Sequence, residues 1–391
     1  MPPSRTPVFP NEILGIVSEH ADHKALFTLC KTSSVLRALA QPLLFEQVEL
    51  GPSTRFILGW CHAIERNPRL ATRTRSLTMS LPFHLRDEDR TSVLRALRTC
   101  VQLKELSVYA LAGETWSGDA SVLVGFPFRL RAFRNSYFRW DDGMAQFLVE
   151  QERIQLLNVP FKLSDFADEE IQDFFRRPAW SLSGPGQSRL PNLTAVSMHT
   201  PLPRRPFRGI EAFFSGGYVG FLESYASTLT TLSLKTKQMY VSQSVVLGCL
   251  AASTPNLVHL ALAETLPLAP AHEPIVSRYP AEAIRLFNRL ETFTSFTRAV
   301  EYEYRSGKLS TSTPFVLSRE RSVANIARET LEASSSLRWV SMSMERERPG
   351  YKNYLRLMDT EVGVAIRDAS GELGVVDGLG SSDAIRKYLM F

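Results

Sequence analysis

A six-residue frame with apolar anchors at its fourth and sixth positions, and usually a third at its first, recurs along most of this chain. Such a repeat constrains a fold more than any single motif. Clear copies are Thr74-Arg75-Ser76-Leu77-Thr78-Met79, Leu103-Lys104-Glu105-Leu106-Ser107-Val108, Leu193-Thr194-Ala195-Val196-Ser197-Met198 and Leu229-Thr230-Thr231-Leu232-Ser233-Leu234. Leu257-Val258-His259-Leu260-Ala261-Leu262 and Leu337-Arg338-Trp339-Val340-Ser341-Met342 follow the same frame, and weaker copies occupy 130–133, 154–159 and 290–293. The fourth and sixth anchors alternate as a strand requires, while the first sits at the turn leading into it. Helical periodicity falls between the anchors, predicting helices over 53–66, 88–99, 141–151, 216–226, 241–252 and 281–287. One strand–helix unit cannot cover its own apolar face. Units stacked side by side make a continuous core and a parallel sheet lining a concave surface.

This pattern resembles the leucine-rich-repeat frame, and the resemblance implies a curved α/β solenoid. Successive first anchors lie 24 to 47 residues apart, wider than the usual leucine-rich range of about 20–29 residues, and the Asn that commonly follows the frame is missing. The repeats are therefore read as degenerate, with loops inserted near 160–191, 201–207, 265–280 and 301–314, where Pro, Gly and polar residues accumulate. An α/β domain whose strands share the pattern by accident remains the alternative. Residues 362–367, 368–371 and 372–376 read as strand, turn and strand, and 382–388 as a short helix, together a cap on the last repeat.

Ahead of the repeats, residues 9–50 have a different period. Pro10 suits the first turn of a helix because its missing N–H would be unpaired there, and Glu12 meets the positive end of the helix dipole. A helix over 10–20 follows. Its Ile13, Leu14, Ile16 and Val17 form an apolar surface too wide for one small core. Asp22 can cap a second helix carrying Ala25, Leu26, Leu29 and Cys30, and Ser33 or Ser34 a third carrying Val35, Leu36, Leu39 and Ala40. Pro42 disfavours helix at Gln41. Three helices this short bury too little surface to be comfortable alone, so they must pack on the rest of the chain, a partner, or both.

Phe9-Pro10-Asn11-Glu12-Ile13-Leu14, continued by Leu26, Leu29, Cys30, Lys31, Ser33, Arg37, Leu39 and Ala40, covers roughly a tenth of the chain. In register it resembles the F-box family, whose members begin Leu-Pro-x-Glu-Ile-Leu and continue Leu…Leu-Cys…Ser…Arg…Leu-Ala, with Phe9 here replacing the usual Leu. The resemblance implies a module, residues 1–50, that docks on a Skp-type adaptor and through it joins a cullin–RING ubiquitin ligase. It also implies the contact or supporting residues Pro10, Ile13, Leu14, Ile16, Val17, Leu26, Leu29, Cys30, Val35 and Leu36. Helical spacing alone leaves open whether each meets a partner or the protein's own core. Residues 51–391 would then be the repeat domain presenting a protein substrate-binding surface. Residues between anchors point away from the core, which makes Lys104, Glu105, Thr230, Ser233, His259, Arg338 and Trp339 the substrate-binding candidates, with Trp339 beside Arg338 suited to a binding hot spot.

Composition adds exclusions. The 391 residues carry a formal charge of only +5, with no dense Lys/Arg block, so neither nucleic acid nor membrane is an expected partner. Cys30, Cys61, Cys100 and Cys249 are far apart without a CxxC pair, which suits a reducing compartment, cytoplasmic and/or nuclear. The first residues lack the apolar core of a signal peptide, and no apolar run reaches the length of a membrane span. No catalytic, cofactor-binding or metal-binding set is assigned. His20, Asp22 and His23 fall at a helix junction, Gly216-Gly217-Tyr218-Val219-Gly220 lacks the GKS/T ending of a phosphate loop, and Cys100 has no assignable base. Chain size and strand–helix alternation leave open an enzyme whose site is assembled from scattered residues, and paired Cys/His clusters of a RING are missing. Any part in ubiquitin conjugation would thus be positional. A scaffold independent of a ligase, with the first three helices capping the repeats, is the second reading.

Overall fold

The computed structural model describes residues 9–82, 85–110, 118–159, 190–200, 218–236, 243–264, 280–298, 323–347 and 358–379. Nearly all of each predicted insertion, and the predicted helix 382–388, lie outside these residues. The fold is mixed α/β, with twelve strands that pair in parallel except at the end of the chain. The chain forms two compact units, Met1–Ile154 and Gln155–Phe391. The first unit holds the first three helices together with the first four strands.

The first unit begins with α1 (Asn11–Glu19), α2 (His23–Thr32) and α3 (Ser34–Leu44). Both predicted caps form. Ala25 N–H donates to Asp22 Oδ1 at 2.7 Å, and Leu36 N–H to Ser33 Oγ at 3.1 Å. The break expected at Pro42 does not occur, since α3 continues to Leu44. Proline there removes at most one intrahelical bond. The last turn is held by Phe45 N–H to Gln41 O at 3.1 Å and by Ala40, which is buried where α3 packs on α1 and α2.

Then follow β1 (Gln47–Leu50), α4 (Thr54–Arg66), α5 (Pro68–Ala71), β2 (Ser76–Leu81), α6 (Asp87–Thr99), β3 (Glu105–Ala110), β4 (Ala132–Asn135) and α7 (Asp142–Glu150). The strands β1 to β4 are parallel in chain order, with Val48, Leu77, Leu106 and Phe133 in one row. That row is buried, as are Ile57, Trp60 and Ile64 of α4 and Val93 and Leu97 of α6. Strand β1 was not foreseen, although Phe45-Glu46-Gln47-Val48-Glu49-Leu50 keeps the repeat frame. The weak copy at 130–133 is explained by Asn135 at the sixth position. Its buried amide is satisfied by Tyr137 N–H at 3.0 Å, Phe138 N–H at 2.8 Å and Phe138 O at 2.9 Å, so a polar anchor closes the following turn at no unpaired cost.

The second unit contains β5 (Leu156–Val159), β6 (Ala195–Thr200), α8 (Tyr218–Ser224), β7 (Thr231–Thr236), α9 (Gln243–Ser253), β8 (His259–Glu264), α10 (Ala281–Ile284), β9 (Thr292–Arg298), α11 (Val323–Glu332) and β10 (Trp339–Glu347). Strands β5 to β10 are again parallel in chain order. The first anchors Leu193, Leu229, Leu257, Leu290 and Leu337 are all buried. Helix α11 was not foreseen. Its Val323, Ala327, Thr330 and Leu331 are buried at helical spacing. The predicted terminal hairpin forms from β11 (Met358–Arg367) and β12 (Leu373–Leu379), with β11 antiparallel to β10. Asp368 Oδ1 accepts Ser370 N–H at 2.8 Å and Glu372 N–H at 2.9 Å, and Gly371 adopts φ +88°, the conformation such a turn asks of glycine.

Candidate functional site

Helices α1 to α3 place their apolar side chains in two classes. Exposed to solvent are Phe9 (64%), Ile13 (44%), Ile16 (53%), Val17 (56%), Phe27 (51%) and Val35 (46%). Ile13, Ile16 and Val17 are spaced at i, i+3 and i+4 on α1 and form one stripe, and Phe9 is exposed just ahead of the helix. Facing the other way, Leu14 is half-buried and Ser18 is buried, with Ser18 Oγ donating to Leu14 O at 2.8 Å. Of the large apolar residues left exposed among the described residues, six of eleven fall within residues 9–35. That concentration is what an unfilled interface looks like, because single exposed apolar side chains are ordinary and clustered ones are not.

The ten residues implied by the F-box resemblance are divided by this geometry. Pro10, Ile13, Ile16, Val17 and Val35 are exposed, Leu14, Leu29, Cys30 and Leu36 are half-buried, and Leu26 is buried. Leu26 is therefore a support between helices, not a surface contact. Phe27 was missed. Its ring lies off the apolar side of α2 and carries the Lys31 ammonium 3.9 Å from its centroid. A large aromatic outside the buried stripe of an amphipathic helix was the available signal.

The substrate-binding candidates separate by frame position. Lys104, Thr230 and Arg338 occupy the turns leading into β3, β7 and β10, while Glu105, His259 and Trp339 are the first residues of β3, β8 and β10. In the second unit the register aligns Thr231, His259, Thr292 and Trp339 on neighbouring strands. His259 Nδ1 lies 2.8 Å from Thr292 Oγ1, and Trp339 is half-buried. Ser233 differs from expectation. It is aligned with Ser197 and Ala261, and all three are buried, so its hydroxyl does not meet solvent. Further along β7, burial pulls the Lys235 ammonium below its usual pKa.

Beside Arg338 is an open cleft of about 320 Å³ lined by Val258, Asn288, Arg289, Glu291, Ser335, Ser336 and Arg338. Arg289 Nη1 donates to Asn256 Oδ1 at 3.3 Å, and Ser336 Oγ to Leu290 O at 2.9 Å. Its lining is polar and suits a hydrophilic segment better than a small apolar ligand. Other groups with displaced pKa lie away from this cleft. Burial pushes the Cys61 and Cys100 thiols up to about 12, which keeps them protonated and poorly nucleophilic. Hydrogen bonds from Ser121 hold Asp119 below the usual carboxylate range. Among the described residues no three His, Cys, Asp or Glu side chains are grouped to hold a metal ion, and no helix is long and apolar enough to cross a membrane. No protein-family model matches this chain, and comparison with curated proteins returns no match.

Proposed function

We propose that this chain is a substrate-recognition subunit of an SCF-type cullin–RING ubiquitin ligase, acting in the cytoplasm and/or nucleus. On this reading α1 to α3 are an F-box-like module that docks on a Skp-type adaptor, and the leucine-rich-repeat-like units bind a protein substrate. The observation that carries the reading is the stripe Ile13, Ile16 and Val17, exposed on a helix that, with Phe9 exposed just ahead of it, follows the F-box pattern in sequence. Docking would cover that stripe and remove its apolar area from water. No bond is made or broken by this chain. Its contribution is to raise the effective concentration of a bound protein near the ligase.

A second reading, a ligase-independent protein-binding scaffold, is favoured by a specific observation. Only Phe45 and Glu46 separate α3 from β1, so the helices run straight into the first strand of their unit, as a capping element would. Proximity labelling with the wild-type chain and an Ile16→Asp, Val17→Asp variant separates the two. For a receptor, partners labelled by both forms live longer in cells carrying the variant. Unchanged lifetimes for every shared partner would favour the scaffold.

A further inference from the structure

The fold assembles a basic edge that is invisible along the sequence. In the first unit, the residues just ahead of β2, β3 and β4 are Arg75, Lys104 and Arg131. Backbone bonds place them on successive rungs: Lys104 N–H donates to Arg75 O at 2.8 Å, and Arg131 N–H donates to Lys104 O at 2.6 Å. Neighbouring strands are about 4.8 Å apart, so the backbones of three cationic residues from successive repeats stand in a row about 10 Å long. Arg73 and Arg129 lie two residues behind Arg75 and Arg131 in the same turns. Arg73, Arg75, Arg129 and Arg131 are exposed and Lys104 is half-buried.

The counter-charges are few. Glu46 pairs with Arg75 at 3.3 Å, and Glu105 is taken by Arg134 at 4.0 Å. Arg129 Nη1 is engaged by the carbonyls of Phe126 and Phe128 at 3.2 and 3.0 Å. Among the described residues, Arg73, Lys104 and Arg131 form no ion pair. An edge this rich in cations stands out in a chain whose formal charge is only +5.

We infer that this edge binds an extended protein segment rich in Asp and Glu. Arginine forks grip carboxylates in two-point hydrogen bonds, and alternate side chains of an extended strand are spaced about 7 Å apart, within reach of neighbouring long cations. A nucleic acid fits less well. Single strands are held by bases stacked on aromatic rings, whereas among the described residues the exposed phenylalanines Phe9, Phe27 and Phe56 lie ahead of or on α1, α2 and α4 and not in these turns. Duplex DNA binding commonly draws on about 6–10 phosphate contacts, more than the uncommitted cations here can make.

The assignment deepens the receptor reading and rests on it for its biological setting, but the contact needs no adaptor and is measured on the chain alone. Failure here therefore leaves adaptor docking untouched, and the converse also holds. The test is fluorescence anisotropy of a labelled Glu/Asp-rich peptide with the full chain at low and high salt. The expected result is saturable binding that weakens with salt and is lost by about tenfold or more in Arg75→Glu, Arg131→Glu. Arg55→Glu, Arg285→Glu, with the same change in net charge, should bind nearly as the wild type. If the reversal variant loses its folded circular dichroism, Lys104→Gln, Arg131→Gln should still weaken binding severalfold. No binding by the wild type, equal loss in the Arg55/Arg285 control, or tighter binding of a single-stranded oligonucleotide of equal charge would each overturn the assignment.

Discussion

The three N-terminal helices and the strand–helix units behind them use the same kinds of residue to opposite ends. In α1, α2 and α3 one residue each is buried, Ser18, Leu26 and Ala40, while five large apolar side chains stand in solvent and Phe9 is exposed just ahead of α1. In β2 the burial alternates without exception, and α4 hides Ile57, Trp60, Cys61 and Ile64. Apolar periodicity thus states that a face must be covered, but not by what. The repeats cover theirs with the next repeat. The helices keep a stripe that nothing among the described residues of their unit covers.

The sharpest way to break this contrast is to truncate one side chain from each region. Phe133 is fully buried and meets Phe147 edge to face, with ring centroids 5.2 Å apart at 65°. Phe133→Ala should cost about 3–5 kcal/mol in urea unfolding, whereas Ile16→Ala should stay within about 0.5 kcal/mol. Comparable losses would mean that the α1 stripe is core after all. A smaller effect is expected from Asp22→Ala, which leaves Ala25 N–H without its cap and should cost about 1 kcal/mol. Because the helices bury so little, that loss should appear as faster amide exchange across α2 while the amides of β2 and β3 are unchanged.

Smallest is a pH effect at the far end of the repeats. Asp368 is held below the usual carboxylate range, first by the Ser370 hydroxyl and then by Glu372 N–H. A depressed carboxyl stabilises the folded form above its unfolded value of about 3.9 and loses that contribution as pH falls through the folded value. Protection of the Ser370 and Glu372 amides, their exchange measured against an unstructured peptide at the same pH, should therefore fall on acidification below about pH 4, and Asp368→Asn should remove most of that dependence.

Much of the repeat architecture is legible in the sequence because its signal is local and recurs. Leu103, Leu106 and Val108 declare a turn and a strand wherever they recur, and β6, β7, β8 and β10 obey the same frame. Weaker positions fail for identifiable reasons. The frame of β1 begins at Phe45, inside the 1–50 segment assigned to the F-box-like module, so it is hidden by a second motif. At β4 the sixth anchor is Asn135, whose hydrogen bonds replace apolar packing. Pro42 reads as a stop only when the tertiary contacts of Ala40 are ignored. Site positions are harder still. Ser233 obeys the same alternation as His259 yet is buried, because exposure depends on neighbours that the strand period does not encode. The row Arg75, Lys104 and Arg131 exists only through strand pairing, and no linear scan of charge assembles it.

The central claim is that the stripe on α1 is a docking surface for a Skp-type adaptor. Titration of purified adaptor into the full chain, followed by calorimetry, tests it directly. The wild type should bind saturably, and Ile16→Asp, Val17→Asp should bind at least about a hundredfold more weakly while unfolding at the same urea concentration, since burying two charges in an apolar interface is strongly unfavourable. Adaptor binding of equal strength by the folded variant, or none by the wild type, would contradict the account.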